Sequence, residues 1–128
     1  MRFLLDSAAF WWLATDSNRL SARALDAFAN PDNDIALSPV SIWELLVKHQ
    51  IGKLPTSKPI AELLMSARND RLIHTLPLVE SAVLRLAALP PLHRDPFDRI
   101  LICQAIDLGM TLLTPDEQIR AYPVNTLW

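Results

Sequence analysis

The apolar positions of this chain fall into two kinds of segment that alternate along it. Phe3-Leu4-Leu5, Ile35-Ala36-Leu37 and Leu112-Leu113 are the centres of short runs with no polar face. Runs that short and that apolar predict strands covered on both sides. Leu72-Ile73-His74-Thr75-Leu76 and Val124-Asn125-Thr126-Leu127 predict two more. Longer segments with helical spacing separate them, over residues 8–14, 21–29, 38 to about 52, 60–68, 79–88 and 95–109. Turn chemistry divides the two kinds: Asn30-Pro31-Asp32-Asn33, the Ser38-Pro39 helix start, and the rigid connector Leu89-Pro90-Pro91-Leu92. Residues 55–59 form a linker too short to separate domains. Strands alternating with helices predict an α/β fold, a mostly parallel central sheet flanked by helices on both faces. The 128 residues fit one domain, 1–128, able to bury about two thirds of its unfolded surface.

The helix from Asp95 to Gly109 stands apart. Asp95 can cap it, Pro96 suits its first position, and Asp98 falls three residues after the cap. Ile100, Leu101, Ile102, Cys103, Ala105, Ile106 and Leu108 then cover most of its circumference, which predicts burial, and Gly109 supplies a left-handed stop. Two carboxylates therefore stand at the mouth of an internal helix. Other acids sit at strand ends. Asp6 directly follows the first strand, and Asp116 lies three residues past Leu113. Glu44 lies about two turns into the helix after the second strand. In open α/β sheets ligands bind beyond the carboxyl ends of the strands, where these three segments deliver their chains. Asp98 follows no strand, so topology alone does not bring it there. Simpler roles exist for each acid: Asp6 and Asp95 as caps, and Glu44 as a surface partner of Lys48 one turn on, worth about 0.2–0.5 kcal/mol.

Composition narrows the chemistry. No run approaches the ~20 apolar residues of a membrane span, and Asp6 interrupts the apolar start too early for a signal sequence. The lone Cys103 lies in the apolar helix and suits a reducing cytoplasm. Two glycines, Gly52 and Gly109, exclude the glycine-rich phosphate loop and the dinucleotide fingerprint. His49, His74 and His93 have no partners at ligand spacing, so neither zinc nor a serine–histidine triad is expected. The formal charge is −2 with no basic run, and two bound divalent cations would reverse its sign, so net charge decides nothing about nucleic acid. Carboxylates without sulfur or imidazole are the ligand set of Mg²⁺ or Mn²⁺, and such ions commonly serve phosphate-ester chemistry.

Four motifs carry a resemblance: Leu4-Leu5-Asp6-Ser7, Ser38-Pro39-Val40-Ser41-Ile42-Trp43-Glu44, His93-Arg94-Asp95-Pro96-Phe97-Asp98-Arg99 and Leu113-Thr114-Pro115-Asp116. Their order over nearly the whole chain resembles the PIN-domain family, and within it the VapC-type toxins of bacterial toxin–antitoxin pairs. The resemblance implies a three-layer PIN-like fold and a Mg²⁺-dependent endoribonuclease, with Mn²⁺ as a possible substitute, cutting RNA by a metal-activated water. It maps the family's acids onto Asp6, Glu44, Asp98 and Asp116, with Asp6 and Asp98 as primary ligands. Ser7 and Thr114 match hydroxyl residues that accompany the outer acids. Arg94 and Arg99 flank the motif and are candidate phosphate contacts. Ala8 stands where relatives often carry histidine, and Asp95 is an additional acid without an assigned role. A small antitoxin and a homodimer are the implied partners, with Trp11, Trp12 and Trp43 as candidate contacts. Two alternatives remain: a non-catalytic binding module in which the acids only cap helices, and a small phosphohydrolase. Asp6-Ser7-Ala8 lacks the second nearby acid that aspartyl-phosphate chemistry wants.

Overall fold

The computed structural model describes residues 1–128. Five strands, β1 (Arg2–Leu5), β2 (Asp34–Leu37), β3 (His74–Thr75), β4 (Thr111–Leu113) and β5 (Thr126–Leu127), form one sheet in the order β3-β2-β1-β4-β5. Every pairing is parallel, with Phe3 opposite Ile35 on one side and opposite Thr111 on the other. Seven α-helices connect and cover it: α1 (Ser7–Thr15), α2 (Ala22–Ala29), α3 (Pro39–Gln50), α4 (Ile60–Asp70), α5 (Glu80–Leu84), α6 (Pro96–Leu108) and α7 (Glu117–Arg120).

The strand period of two divides the core. Phe3 and Leu5 join Phe10, Leu13, Ala24, Leu37, Leu45, Leu64 and Leu113 on one face. Leu4 joins Ala36, Val40, Leu101, Ile102, Cys103, Ala105 and Leu112 on the other. A sheet buried on both faces needs apolar side chains at successive positions, which explains the unbroken short runs. Helix α3 straddles the division, with Val40 in one cluster and Leu45 in the other.

The local stop and start signals act as their chemistry dictates. Ser21 caps α2 by accepting from the Ala24 N–H, and Ser38 caps α3 by accepting from the Val40 N–H. Gly109 adopts φ 62°, and the Met110 N–H donates back to the Ala105 carbonyl (2.9 Å) to close α6. Residues 79–88 do not form one helix. After Leu84 the turn tightens to a 3₁₀ segment, Arg85–Ala87, just before Leu89-Pro90-Pro91. The strands expected over residues 72–76 and 124–127 shorten to two residues each, because both lie at the sheet's edges with one neighbour only. Helix α6 is less enclosed than its composition suggests. Asp98, Leu101, Ile102, Cys103, Gln104 and Ala105 are buried, while Leu108 is exposed and Asp107 bonds Arg85 and Ser81 at the surface. No helix is long and apolar enough to cross a membrane.

Candidate functional site

Asp6 leaves the end of β1 and begins α1. Its backbone N–H donates to the Leu113 carbonyl (3.1 Å), extending the central ladder by one bond. One carboxylate oxygen accepts from the Ala9 N–H (2.7 Å), and the other accepts from the Thr114 hydroxyl. The aspartate is thus a helix cap and is also tied to the loop after β4. Thr114 holds that loop in turn, because its Oγ1 accepts from the Asp116 N–H (3.0 Å). Burial pushes the Asp6 carboxyl up to about 7; its two hydrogen bonds oppose the rise, and the charges of Asp98 and Glu44 add to it.

Glu44 is 4 % exposed inside α3. Its Oε1 accepts from the Ser7 hydroxyl (2.8 Å), and its Oε2 meets Lys48 Nζ at 2.6 Å. Glu44 therefore makes the expected pair with Lys48, but from a buried position that faces the start of α1 and not from the helix surface. Burial would lower the Lys48 ammonium, but the Glu44 bond and the charges of Glu44, Asp95 and Asp98 raise it above the usual lysine range. Asp98 lies on the buried side of α6 with Leu101, Ile102 and Ala105. Its carboxyl rises to about 6, first through burial and then through Asp95, Glu44 and Asp116, against a hydrogen bond from His93. Neighbouring carboxylates thus add to the rise at both Asp6 and Asp98, as like charges brought close together do.

Asp95 caps α6 through Oδ1, which accepts from the Phe97 (2.9 Å) and Asp98 (3.2 Å) N–H groups. It does more than cap. Glu44, Asp95 and Asp98 each present a carboxylate oxygen within 4.8 Å of the others, the one group of potential metal-binding side chains this close. Its donors are carboxylates only, a set that fits a hard divalent cation and not zinc. Asp6 stands within electrostatic reach of Glu44 and Asp98, and Asp116 within reach of Asp98. Asp116 itself caps α7, accepting from the Gln118 N–H (2.8 Å), and is half-buried at the rim.

A family model for the PIN domain matches residues 3–125. The chain belongs to the PIN-domain family. Ribonuclease VapC22 of Mycobacterium tuberculosis is 29% identical over 130 residues, covering 98% of this chain and 97% of the relative. Among solved structures, VapBC2 from Rickettsia felis, bound to a DNA fragment from its promoter, superposes with a TM-score of 0.74 at 16% identity, covering 99% of this chain and 98% of that one. FitAcB from Neisseria gonorrhoeae superposes with a TM-score of 0.63 at 18% identity, covering 98% and 96%. At such identities the two structures speak for the fold, which is the α/β PIN fold with its parallel sheet.

Several residues of this PIN domain do something other than the sequence suggested. Arg99 does not reach into the acidic group. Its guanidinium donates to the Pro90 and Leu89 carbonyls and to the Tyr122 hydroxyl, pinning the connector that precedes α6. Ser7 and Thr114 donate to Glu44 and Asp6, so their hydroxyls hold carboxylates. Arg94 is exposed beside His93. His93 is not isolated: its Nε2 lies 3.1 Å from Asp98 Oδ2 and its Nδ1 lies 2.8 Å from the Tyr122 hydroxyl. Tyr122 is 29 residues away in sequence, beyond the reach of any spacing rule. Trp11 and Trp12, two of the candidate partner contacts, pack half-buried against the core beside the fully buried Phe10. Trp43 is 60% exposed and packs edge-on against Phe97, next to Asp98.

Proposed function

We propose that this PIN domain is a metal-dependent endoribonuclease, the toxin of a toxin–antitoxin pair, with Asp6, Glu44, Asp98 and Asp116 as its catalytic acids. The observation that carries the reading is the crowding of buried carboxylates at the carboxyl edge of the sheet, where Glu44, Asp95 and Asp98 lie within 4.8 Å and Asp6 is pushed up to about 7. Like charges at that density cost stability unless something positive joins them. Asp6, Glu44 and Asp98 would hold Mg²⁺, or Mn²⁺ in its place, with Asp116 closing the rim. When bound, such an ion lowers the pKa of water and offsets charge that builds on a phosphodiester. Ser7 and Thr114 fix the Glu44 and Asp6 rotamers, so the ligand oxygens are oriented before the ion arrives. Lys48 pairs with Glu44 Oε2 at 2.6 Å and so holds that carboxylate from the side opposite Ser7.

RNA as substrate is the chemistry named for Ribonuclease VapC22, and VapBC-5 from Mycobacterium tuberculosis, a solved structure of similar fold, is named a member of a family of toxin–antitoxin systems. We extend both to this chain, together with a cytoplasmic location and a homodimer. The test is to incubate the purified chain with total RNA and Mg²⁺ and to map the cut ends, with the Asp98→Asn variant in parallel. New RNA ends produced by the wild type and lost in Asp98→Asn are the expected result. Equal cleavage by both overturns the assignment of the site. A binding module without catalysis would cut nothing under any divalent ion.

A further inference from the structure

The Tyr122 hydroxyl has three neighbours and one hydrogen. The backbone N–H of His93 donates to it (3.0 Å), and so does Arg99 Nη1 (2.9 Å). A phenol oxygen offers two acceptor sites and a single donor. Both acceptor sites are therefore taken, and the one hydrogen is directed to the remaining neighbour, His93 Nδ1 at 2.8 Å. An Nδ1 that accepts a hydrogen bond carries no proton. In the neutral ring the proton then resides on Nε2, which faces Asp98 Oδ2 at 3.1 Å. A doubly protonated ring would set Nδ1–H against an oxygen already accepting twice and would leave the phenol hydrogen with no acceptor. Burial of the ring works against that second proton, while its Tyr122 and Asp98 neighbours work for it; the matched hydrogen bonds at the phenol select the neutral ring.

We infer that Tyr122 and His93 are positioning residues for Asp98: the phenol selects the Nε2–H tautomer of His93, which grips Oδ2 and leaves Oδ1 for the acidic pocket. Arg99 belongs to the same device, since its guanidinium saturates the phenol and anchors Pro90. The chain runs Arg99 to Tyr122 to His93 to Asp98, each donor matched to one acceptor. It joins α6 to the segment after α7 and is closed by side chains that lie 5, 23 and 29 residues apart. Outer partners of this kind typically hold ligand orientation, and their loss costs about 10–100-fold in metal affinity or activity. The inference rests on Asp98 being a metal ligand, as proposed above.

Long-range ¹H–¹⁵N NMR of the full chain reports which ring nitrogen carries hydrogen, and only three histidines need assignment. At mildly alkaline pH, His93 is expected to show hydrogen on Nε2 alone, and Tyr122→Phe to lose that preference. Calorimetry with Mn²⁺ then compares four proteins. His93→Ala is expected to weaken Mn²⁺ binding about 10–100-fold, His93→Gln to recover most of it through its side-chain N–H, and Tyr122→Phe to fall between. Hydrogen on Nδ1 or on both nitrogens overturns the inference, as does a Tyr122→Phe ring with the wild-type pattern. Wild-type Mn²⁺ affinity in a folded His93→Ala overturns it as well. If Asp98→Asn binds Mn²⁺ like the wild type, the ligand assignment itself fails, a result separable from the tautomer measurement.

Discussion

Two aspartates three positions apart at the start of α6 have different work, and substitution separates it. Asparagine caps about as well as aspartate, while alanine costs about 0.5–2 kcal/mol. Asp95→Asn should therefore melt like the wild type without metal, and Asp95→Ala should melt lower. Because Asp95 shares its 4.8 Å group with Glu44 and Asp98, Asp95→Asn should also weaken Mn²⁺ binding, which calorimetry would detect. Unchanged affinity would reduce Asp95 to a cap. The cap was readable from Asp95-Pro96; the second role was not, since it depends on α3 arriving beside α6. The same limit hid His93, whose partner Tyr122 is fixed only by the tertiary fold. A pH effect follows from the raised acids. Asp6 stands near 7 when folded against 3.8 in the free residue, so between those values the folded state keeps a proton that the unfolded chain has lost. Its contribution is thus greatest below 3.8 and declines as pH rises towards 7, with Asp98 adding in the same direction up to about 6. Metal-free melting curves of the wild type and Asp6→Asn should diverge across that window, the variant gaining as pH rises. Parallel curves would show that Asp6 is ionised throughout.

At the scale of the element, α3 carries a choice that no single residue displays. Glu44 and Lys48 are one turn apart, so the pairing was legible as an ordinary helix-surface pair. The burial of Glu44 was not, because the neighbouring helix α1 supplies it through Ser7. The consequence is a helix that pairs its own buried acid with a lysine one turn on. Lys48→Met should leave Glu44 without that partner, lower the metal-free melting temperature and tighten Mn²⁺ binding, since a competing positive charge has gone. Weaker Mn²⁺ binding in Lys48→Met would mean that the lysine supports the ion instead of competing with it. The α4–β3 turn offers a stability test that is remote from this chemistry. Leu72 is 90% exposed with φ 55°, in the left-handed region that an L residue occupies at a cost of roughly 1–2 kcal/mol. Leu72→Gly should raise stability by part of that amount, offset by the greater freedom glycine gives the unfolded chain, with RNA cleavage unchanged. This strain was not legible in the residues around it, since leucine sits where asparagine or glycine would announce the turn.

Across the whole molecule, the order β3-β2-β1-β4-β5 delivers separate segments to one edge of the sheet. Parallel strands end on the same edge, so Asp6 after β1, α3 after β2 and the Thr114–Asp116 loop after β4 arrive together without any of them being near in sequence. That much followed from the short apolar runs, because strands buried on both faces and joined by helices have little choice but to run parallel. Asp98 follows no strand; it reaches the group because the apolar side of α6 packs on the sheet and carries the aspartate with it. The fold therefore concentrates negative charge in its own core edge, and a cation that relieves it should stabilise the entire domain. At a concentration 100 times its Kd, a ligand bound only by the folded state adds about 2.7 kcal/mol. For a chain of this size that corresponds to a rise on the order of 10 °C in melting temperature. Mn²⁺ or Mg²⁺ should produce such a rise in the wild type, while Na⁺ at matched ionic strength should not, because screening alone acts weakly on buried pairs. Asp6→Asn and Asp98→Asn should begin from a metal-free melting temperature at or above the wild type at neutral pH, having lost a repulsive charge, and should gain little from the ion. Equal gains in the wild type and both variants would place the cation elsewhere, and the carboxylates would then be caps held together by the fold at a cost it tolerates.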